Sequence, residues 1–498
     1  MKIFSKTLLA SLVTLCSAGT AHAAAFQLAE ISTSGLGRAY AGDAAVADNA
    51  SVVATNPALM TLFKQTEISA GGIFVDADVN IEGKLNATDT DASHKNVIPT
   101  AIVPNAYIVS PINDRLSLGG GVNVNYGLKS EFDPNYSAGF LGGRTSLSAV
   151  NVNFSAAYDL GYGFVLGAGL NAVHAKAELE RFLGNSIEMA KRRITTAKLG
   201  LQQLEQGIAQ LEQGIPVAPV SQQPVLQAQL VELKARQAGV LNTLRASGFN
   251  VTSSAQLSAV ENQLDTLNAI TNESDTIHKL KGDKWALGWN VGLVYNINER
   301  NRLGFAYHSE IDLKFKGKYS NNVPVAIPNV VNTITGGAEI DGTLRLRLPA
   351  FWEVSGYHKL TDKLAAQYSY KRTDWSKFQS LDAYDMQGNQ LLHKTEKFND
   401  SQRVALGLSY DVNEMLTLRT GVAFDESASV NHPSISIPDT DRAWYSVGAT
   451  VRFTPNLSAD VGYSHLRGSN LTFSEDGLAT FKSKARANLY GLNVNYKF

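Results

Sequence analysis

From about Thr66 to Phe498 the chain runs in segments of about ten or more residues in which apolar side chains alternate with polar or small ones. Neighbouring residues of a β-strand point to opposite faces, so this alternation specifies strands with one oily and one polar face. The C-terminus shows it plainly: Tyr490, Leu492, Val494, Tyr496 and Phe498 share one face, and Gly491, Asn493, Asn495 and Lys497 share the other. Val150 to Tyr158, Leu287 to Tyr295, Val404 to Tyr410 and Trp444 to Phe453 repeat the pattern. A soluble sandwich has the same alternation, but Gly161 to Glu178 outlasts the usual strand of about five or six residues.

The connections separate the two. Tight turns at Ser110–Asp114, Leu160–Tyr162, Asn296–Asn301, Lys359–Lys363, Val412–Met415 and Thr454–Asn456, rich in Asn, Asp, Pro and Gly, alternate with long polar loops. Fourteen strands are expected, beginning near Thr66, Thr100, Arg115, Ser146, Tyr162, Lys284, Arg302, Gly342, Asp362, Ser401, Leu416, Arg442, Asn456 and Ala485. An even strand number with short turns on one side and long loops on the other is the pattern of an all-β, antiparallel transmembrane barrel of the outer-membrane type. Closure satisfies every backbone amide in lipid, which an open sheet cannot do. Beyond a short run near the start, no stretch approaches the roughly 18 consecutive apolar residues of a membrane-crossing helix, so a helical membrane protein is excluded.

Residues 1–23 read as a secretory signal: basic Lys2 and Lys6, an apolar Thr7 to Leu15, and Ala21-His22-Ala23 ahead of a mature start at Ala24. Cleavage removes Cys16, the only cysteine, which excludes a disulfide scaffold. Bulky Leu15 argues against a lipoprotein site at Cys16. Residues 24–64 lack strand alternation and form a hatch inside or below the barrel, whose body spans 65–498. Within the body, Leu183 to Asp283 is rich in Gln, Leu and Ala, and Ile187, Ala190, Ile194, Ala197, Leu201, Leu204, Ile208, Leu211 and Ile215 follow a heptad seam. Pro216, Pro219 and Pro224 interrupt it, which predicts an outer-loop insert of short helices packed on one another.

Other motifs fall away. Gly35, Gly37 and Gly42 lack the Gly-Lys-Ser and strand-to-helix frame of a phosphate loop. Asp76, Asp78 and Asn80 open like a calcium loop, but Ile81 stands where that loop needs Gly. The histidines show no metal spacing, no nucleophile motif marks an enzyme, and net charge −1 with dispersed Lys and Arg gives no nucleic-acid footprint. The chain is therefore expected to be a non-enzyme without metal or cofactor.

Phe26-Gln27-Leu28-Ala29-Glu30, Ser34 to Gly42 and Asn56-Pro57-Ala58-Leu59, ahead of a barrel ending in Phe498, closely resemble the FadL-type long-chain fatty acid transporters of Gram-negative outer membranes. Asn125 to Leu128, Glu180 to Phe182, Trp289 to Gly292, Phe351 to Tyr357 and Ser436 to Asp439 extend the likeness, which weakens only in the helical insert. The resemblance implies a hatch filling the lumen and passage of a hydrophobic ligand from an outer groove to an inner pocket. Exit is then sideways through a gap made by an inward kink of the third strand. It carries the family's pocket cations onto Arg181 and Lys394, and a pocket hydroxyl onto Val124, which leaves the head-group site less polar. It also implies that ligand displaces Phe26, that the Asn56-Pro57 segment shifts in response, and that Gly292 lies on the wall near the lateral gap.

The leading expectation is passive, ligand-gated uptake of long-chain fatty acids. Rivals are a channel for aromatic or other hydrophobic compounds and, on account of the insert, a surface receptor or adhesion protein. Expected partners are long-chain fatty acids or similar hydrophobic ligands, with outer-membrane lipid and lipopolysaccharide around a monomer; no nucleic acid is expected.

Overall fold

The computed structural model describes residues 25–246, 249–327 and 331–498; the expected signal segment lies outside them. Fourteen antiparallel strands make the wall. These are β1 (Glu67–Leu85), β2 (Ala101–Pro111), β3 (Leu116–Glu131), β4 (Gly143–Gly161), β5 (Phe164–Phe182), β6 (Thr276–Asn298), β7 (Asn301–His308 continued by Ile311–Ser320), β8 (Ile340–Leu348 continued by Phe351–Lys359), β9 (Leu364–Thr373), β10 (Ser401–Asp411), β11 (Leu416–Asp425), β12 (Arg442–Arg452), β13 (Leu457–Gly468) and β14 (Ala479–Lys497). The sheet closes where β1 pairs β14 from Glu67↔Lys497 to Leu85↔Ala479. Short accessory strands, Ser380–Asp385, Gln390–Thr395 and Leu471–Glu475, extend it above the wall.

The two-faced alternation translates directly into facing. Tyr490, Leu492, Val494 and Tyr496 are exposed to the lipid side, while Leu489, Asn493 and Asn495 are buried inside. Polar inner residues satisfy one another: Asn153 Nδ2 donates to Asn171 Oδ1 at 2.8 Å, and Asn171 Nδ2 donates to Asn290 Oδ1 at 2.9 Å. In β7 and β8 the two-residue breaks at 309–310 and 349–350 flip the alternation. Leu303, Phe305 and Tyr307 face out below the break, whereas Ile311, Leu313 and Phe315 face in above it.

β6 begins at Thr276 instead of Lys284, because Thr276 to Asp283 pair with Phe182 to Lys176. This stretch stands above the membrane, so its outward positions are Lys279, Lys281 and Asp283 and no oily face marks it as a strand. The insert is helical, but its helices are long: α1 (Ser186–Gly214), α2 (Gln223–Ala246) and α3 (Ser254–Ile270) have 29, 24 and 17 residues. Pro216 and Pro219 sit in the turn between α1 and α2, and Pro224 in the first turn of α2, where a missing N–H costs nothing. Ile187, Ile194 and Leu201 of the seam pack with Leu244, Leu257, Leu264 and loop residues Val323 and Val331.

Candidate ligand-binding site

The N-terminal stretch enters the lumen as a makeshift strand. β2 pairs β3 only from Ala106↔Val122 to Pro111↔Ser117, so the wall parts above Val122. β3 bulges between Val124 and Tyr126. The edge released by β2 is taken by the hatch: Leu28 N–H donates to Asn125 O at 2.8 Å, and Gly127 N–H donates to Phe26 O at 2.9 Å. Val124 belongs to the apolar cluster that includes Leu28 and Val103 at this gap. It does not line the cavity that Phe26 lines.

Phe26 is buried in an aromatic cage. Its ring centroid lies 4.5 Å from Trp375 and 5.5 Å from Phe378, both edge-on, and 6.4 Å from Tyr126. Edge-to-face pairs of this kind each add about 0.5 to 1.5 kcal/mol beyond area burial. Beside the cage lies an apolar cavity of about 70 Å³, bounded by Leu128, Leu147, Leu179, Phe315, Leu346 and Leu392 among others. Ligand-filled pockets run from about 300 to 1,000 Å³. The cavity is therefore smaller than such pockets, with Phe26 among the side chains that bound it.

Arg181 and Lys394 do not themselves line this cavity. Each stands two residues beyond a lining leucine, Leu179 on β5 and Leu392 on the accessory strand. Arg181 is buried, and one guanidinium nitrogen donates to Arg144 O, Thr145 Oγ1 and Glu180 O at 2.9 to 3.3 Å. Its other terminal nitrogen, Nη2, is buried without a hydrogen-bond partner. Lys394 Nζ donates to Glu396 Oε1 at 2.9 Å and to Ser434 Oγ and Ser436 Oγ, both at 2.8 Å. Ser434 Oγ in turn donates to Glu475 Oε1 at 2.7 Å, and Ile435 N–H donates to Glu475 Oε2 at 2.9 Å. Burial raises the Glu475 carboxyl above its ordinary value against the pull of Lys394. Arg181 feels Glu475 and Glu396 as its nearest counter-charges. Two basic and two acidic side chains thus form a box, with one donor, Arg181 Nη2, and one acceptor, Glu396 Oε2, left open.

The resemblance supplied Arg181 and Lys394, and neither it nor the residue pattern pointed to Glu396, Glu475, Ser434 or the cage partner Trp375. Glu396 was visible as an acid two residues from Lys394; Glu475 is distant in sequence and left no local signal.

Below the cavity, Asn56 and Pro57 anchor the hatch to the wall. Asn56 Oδ1 accepts from Ala58 N–H at 3.0 Å, capping the 3-10 helix Pro57–Leu62, and Asn56 Nδ2 donates to Ala44 O at 2.7 Å and to Leu293 O and Phe305 O at 3.3 Å. Gly292 sits against this cap on β6: an added Cβ would lie 1.8 Å from Asn56 Oδ1. It is three strands away from the β2–β3 gap, so its expected place beside the gap is corrected; lack of a side chain makes room for the hatch. Ion pairs hold the hatch within the lumen. Arg38 contacts Asp48 and, at 2.8 Å, Asp43; Arg403 pairs with Asp425 at 2.7 Å and donates to Ala39 O.

With this geometry in place, residues 14–498 match the family model described as outer membrane protein transport protein (OMPP1/FadL/TodX). The chain belongs to this family. It is 50% identical to the 47 kDa outer membrane protein of Pasteurella multocida over 99% of each chain, and 38% identical to the long-chain fatty acid transport protein of Escherichia coli K12 over 100% of this chain and 99% of that one. Among solved structures, a Pseudomonas aeruginosa FadL homologue has the same fold, with a TM-score of 0.72 at 20% identity, covering 95% of this chain and 100% of that one. The protein is accordingly a FadL-family transporter of hydrophobic compounds in the outer membrane.

Proposed function

We propose that the barrel takes up long-chain fatty acids, binding the acyl chain in the Phe26 cavity with the carboxyl group under Arg181 and Lys394, and releasing it sideways through the β2–β3 gap. The observation that carries this reading is the buried, unpartnered Nη2 of Arg181, two residues along β5 from Leu179 of the apolar cavity. An isolated donor of this kind is costly unless a ligand supplies its acceptor. Displacement of Phe26 by the chain frees residues 26–28 from the β3 edge and opens the gap they occupy. A downward path is opposed by the ion pairs beneath the cavity, because each methylene returned to a polar passage loses about 0.8 kcal/mol.

One observation favours a second reading. The two cations already face Glu396 and Glu475, so a neutral hydrophobic compound, including an aromatic one, enters without disturbing the charge balance. The test is binding of a fatty acid, its matching alcohol and toluene to the wild type and to an Arg181→Met/Lys394→Met double variant. The fatty-acid reading expects a loss of about tenfold or more per cation for the acid alone, as charge-assisted bonds contribute about 1.5 to 3 kcal/mol each. Equal losses for acid and alcohol would remove the carboxylate assignment, and toluene binding tighter than either would favour the second reading.

A further inference from the structure

The wall has a second interruption, between β6 and β7. β6 pairs the upper half of β7 from Lys279↔Ser320 to Asp283↔Lys316, and pairs its lower half from Asn290↔His308 downward. Between these ladders Ser309 N–H donates to Trp289 O and Trp289 N–H to Ser309 Oγ, both at 2.9 Å, and residues 284–288 and 310–315 lie outside either ladder, facing each other across a slit. At the rise of a strand this slit is about 16 Å long. In lipid, unpaired backbone is tolerated only where it lines protein interior or a water-filled space. A slit at this level is therefore a feature to be explained.

Three observations say what it opens onto. Ile311, Leu313 and Phe315 on its β7 edge are buried in the apolar cluster that holds Phe26 and Trp375, and Phe315 also lines the cavity. On its β6 edge the alternation fails: Asp283, Lys284 and Trp285 are all exposed, whereas a continuous wall would turn Lys284 inward. Above its upper corner an outward groove of about 760 Å³ is lined by Lys176, Lys281, Lys316 and Lys318, with Glu178, Asp283 and Asp341 between them. Among the described residues Lys176, Lys284 and Lys316 have no ion-pair partner. Lipid-facing Trp285, Leu287 and Trp289 place the slit at the boundary between acyl chains and head groups, where interfacial aromatics gather.

We infer that this β6–β7 window is a lateral entrance through which a long-chain carboxylate dissolved in the outer leaflet reaches the cavity, its chain threading past Ile311 and Phe315 while Lys284 and Lys316 hold the anionic head at the rim. The inference rests on the fatty-acid reading above and adds a membrane route to it. Unpaired lysines beside an apolar opening complement an anionic amphiphile; a neutral hydrocarbon has no use for them.

The test uses the full barrel in lipid vesicles. An added Cβ at Gly288 lies 3.0 Å from Ile311 Cγ1, within reach of a disulfide, and the sole native cysteine, Cys16, belongs to the expected leader. A Gly288→Cys/Ile311→Cys variant is oxidised, and diazirine-bearing oleate is supplied in the vesicle leaflet and crosslinked at timed intervals to the cage segment 375–398. Oxidation is expected to slow arrival by about tenfold or more, with reversal by dithiothreitol and unchanged crosslinking at equilibrium. Lys284→Glu/Lys316→Glu, which needs no disulfide, is expected to slow the carboxylate but not the matching alcohol. An unchanged arrival rate in both variants, with equilibrium binding intact, overturns the window alone. Failure of the wild type to bind oleate at all overturns the fatty-acid reading and this entrance with it.

Discussion

On the fatty-acid reading, the charge balance around Arg181 and Lys394 makes ligand binding a proton-coupled event. Arg181 and Lys394 are matched by Glu396 and Glu475, all in the low-dielectric top of the lumen. A bound carboxylate brings a third negative charge. At about 4 Å and an effective dielectric constant of about 20, each like-charge pair costs about 4 kcal/mol. Taking up one proton near neutral pH is cheaper than this for a carboxyl that burial has already raised, and Glu475 is such a group. It faces Ser434, the Ile435 N–H, Lys394, Arg181, Glu396 and Tyr136. Binding should therefore absorb close to one proton per ligand, and affinity should fall about tenfold per pH unit above the pH where the box accepts it. Glu475→Gln removes the third carboxylate in advance; its affinity should vary little between about pH 6 and 9 and exceed that of the wild type at the alkaline end. Calorimetry of fatty acid binding in buffers of different ionisation enthalpy counts the protons. Zero proton uptake by the wild type, or a Glu475→Gln variant that keeps the full pH slope, would refute the reasoning.

Other perturbations follow from the hatch and the insert. Phe26→Ala removes edge contacts with Trp375 and Phe378 worth about 1 to 3 kcal/mol together, so fatty acid binding should tighten and residues 26–28 should become protease-accessible without ligand. Gly292→Leu drives a side chain into Asn56, and liposome swelling should report a small-solute leak that the wild type lacks. Burial raises the Glu30 carboxyl to about 7, opposed by the N–H groups of Glu30 and Ala29 and more weakly by Arg442 and Arg403. The docked hatch favours the protonated form, so docking is tightest below the ordinary value of 4.5 and weakens as pH rises to about 7, by about 3 kcal/mol in all. Glu30→Gln should make hatch protease sensitivity independent of pH over that interval. Replacing residues 186–274 by a brief linker should leave the barrel folded and slow uptake at low ligand concentration if the insert collects ligand; unaltered uptake removes that role.

The barrel was legible because its physics is local. Alternation and turn chemistry need only neighbouring residues, and they recovered all fourteen wall strands. They failed where a strand leaves the membrane: Thr276 to Asp283 has no oily face to reveal it. Helix length in the insert was misjudged because prolines were weighed by presence instead of position, and in the turn and first helical turn they break nothing. At the site, Arg181 and Lys394 were named by the family resemblance alone, because a cation near a strand end reads equally well as a rim charge, and Glu475 joins them only through closure of the barrel. The place of Gly292 depends on which hatch residue lies opposite β6, and no pattern within either segment records that.

The breaks at 309–310 and 349–350 tie these strands to the transport path. A two-residue interruption reverses which side chains face the lumen, and it is this reversal that brings Ile311, Leu313 and Phe315 into the apolar cluster around Phe26, with Phe315 lining the cavity. The same reversal puts Lys314, Lys316 and Lys318 outside, where lipid head groups lie. β8 reverses alongside, which keeps β7 and β8 paired through Ile311↔Leu348, but β6 does not, and the ladder between β6 and β7 must lapse where the two phases meet. The slit is thus a geometric consequence of making an apolar cavity from strands whose lower halves face lipid with the opposite phase. Deleting Ser309 and Glu310 should therefore close the ladder and empty the cavity wall of its apolar side chains together, a coupling that loss of fatty acid binding in a fully folded, heat-modifiable barrel would reveal.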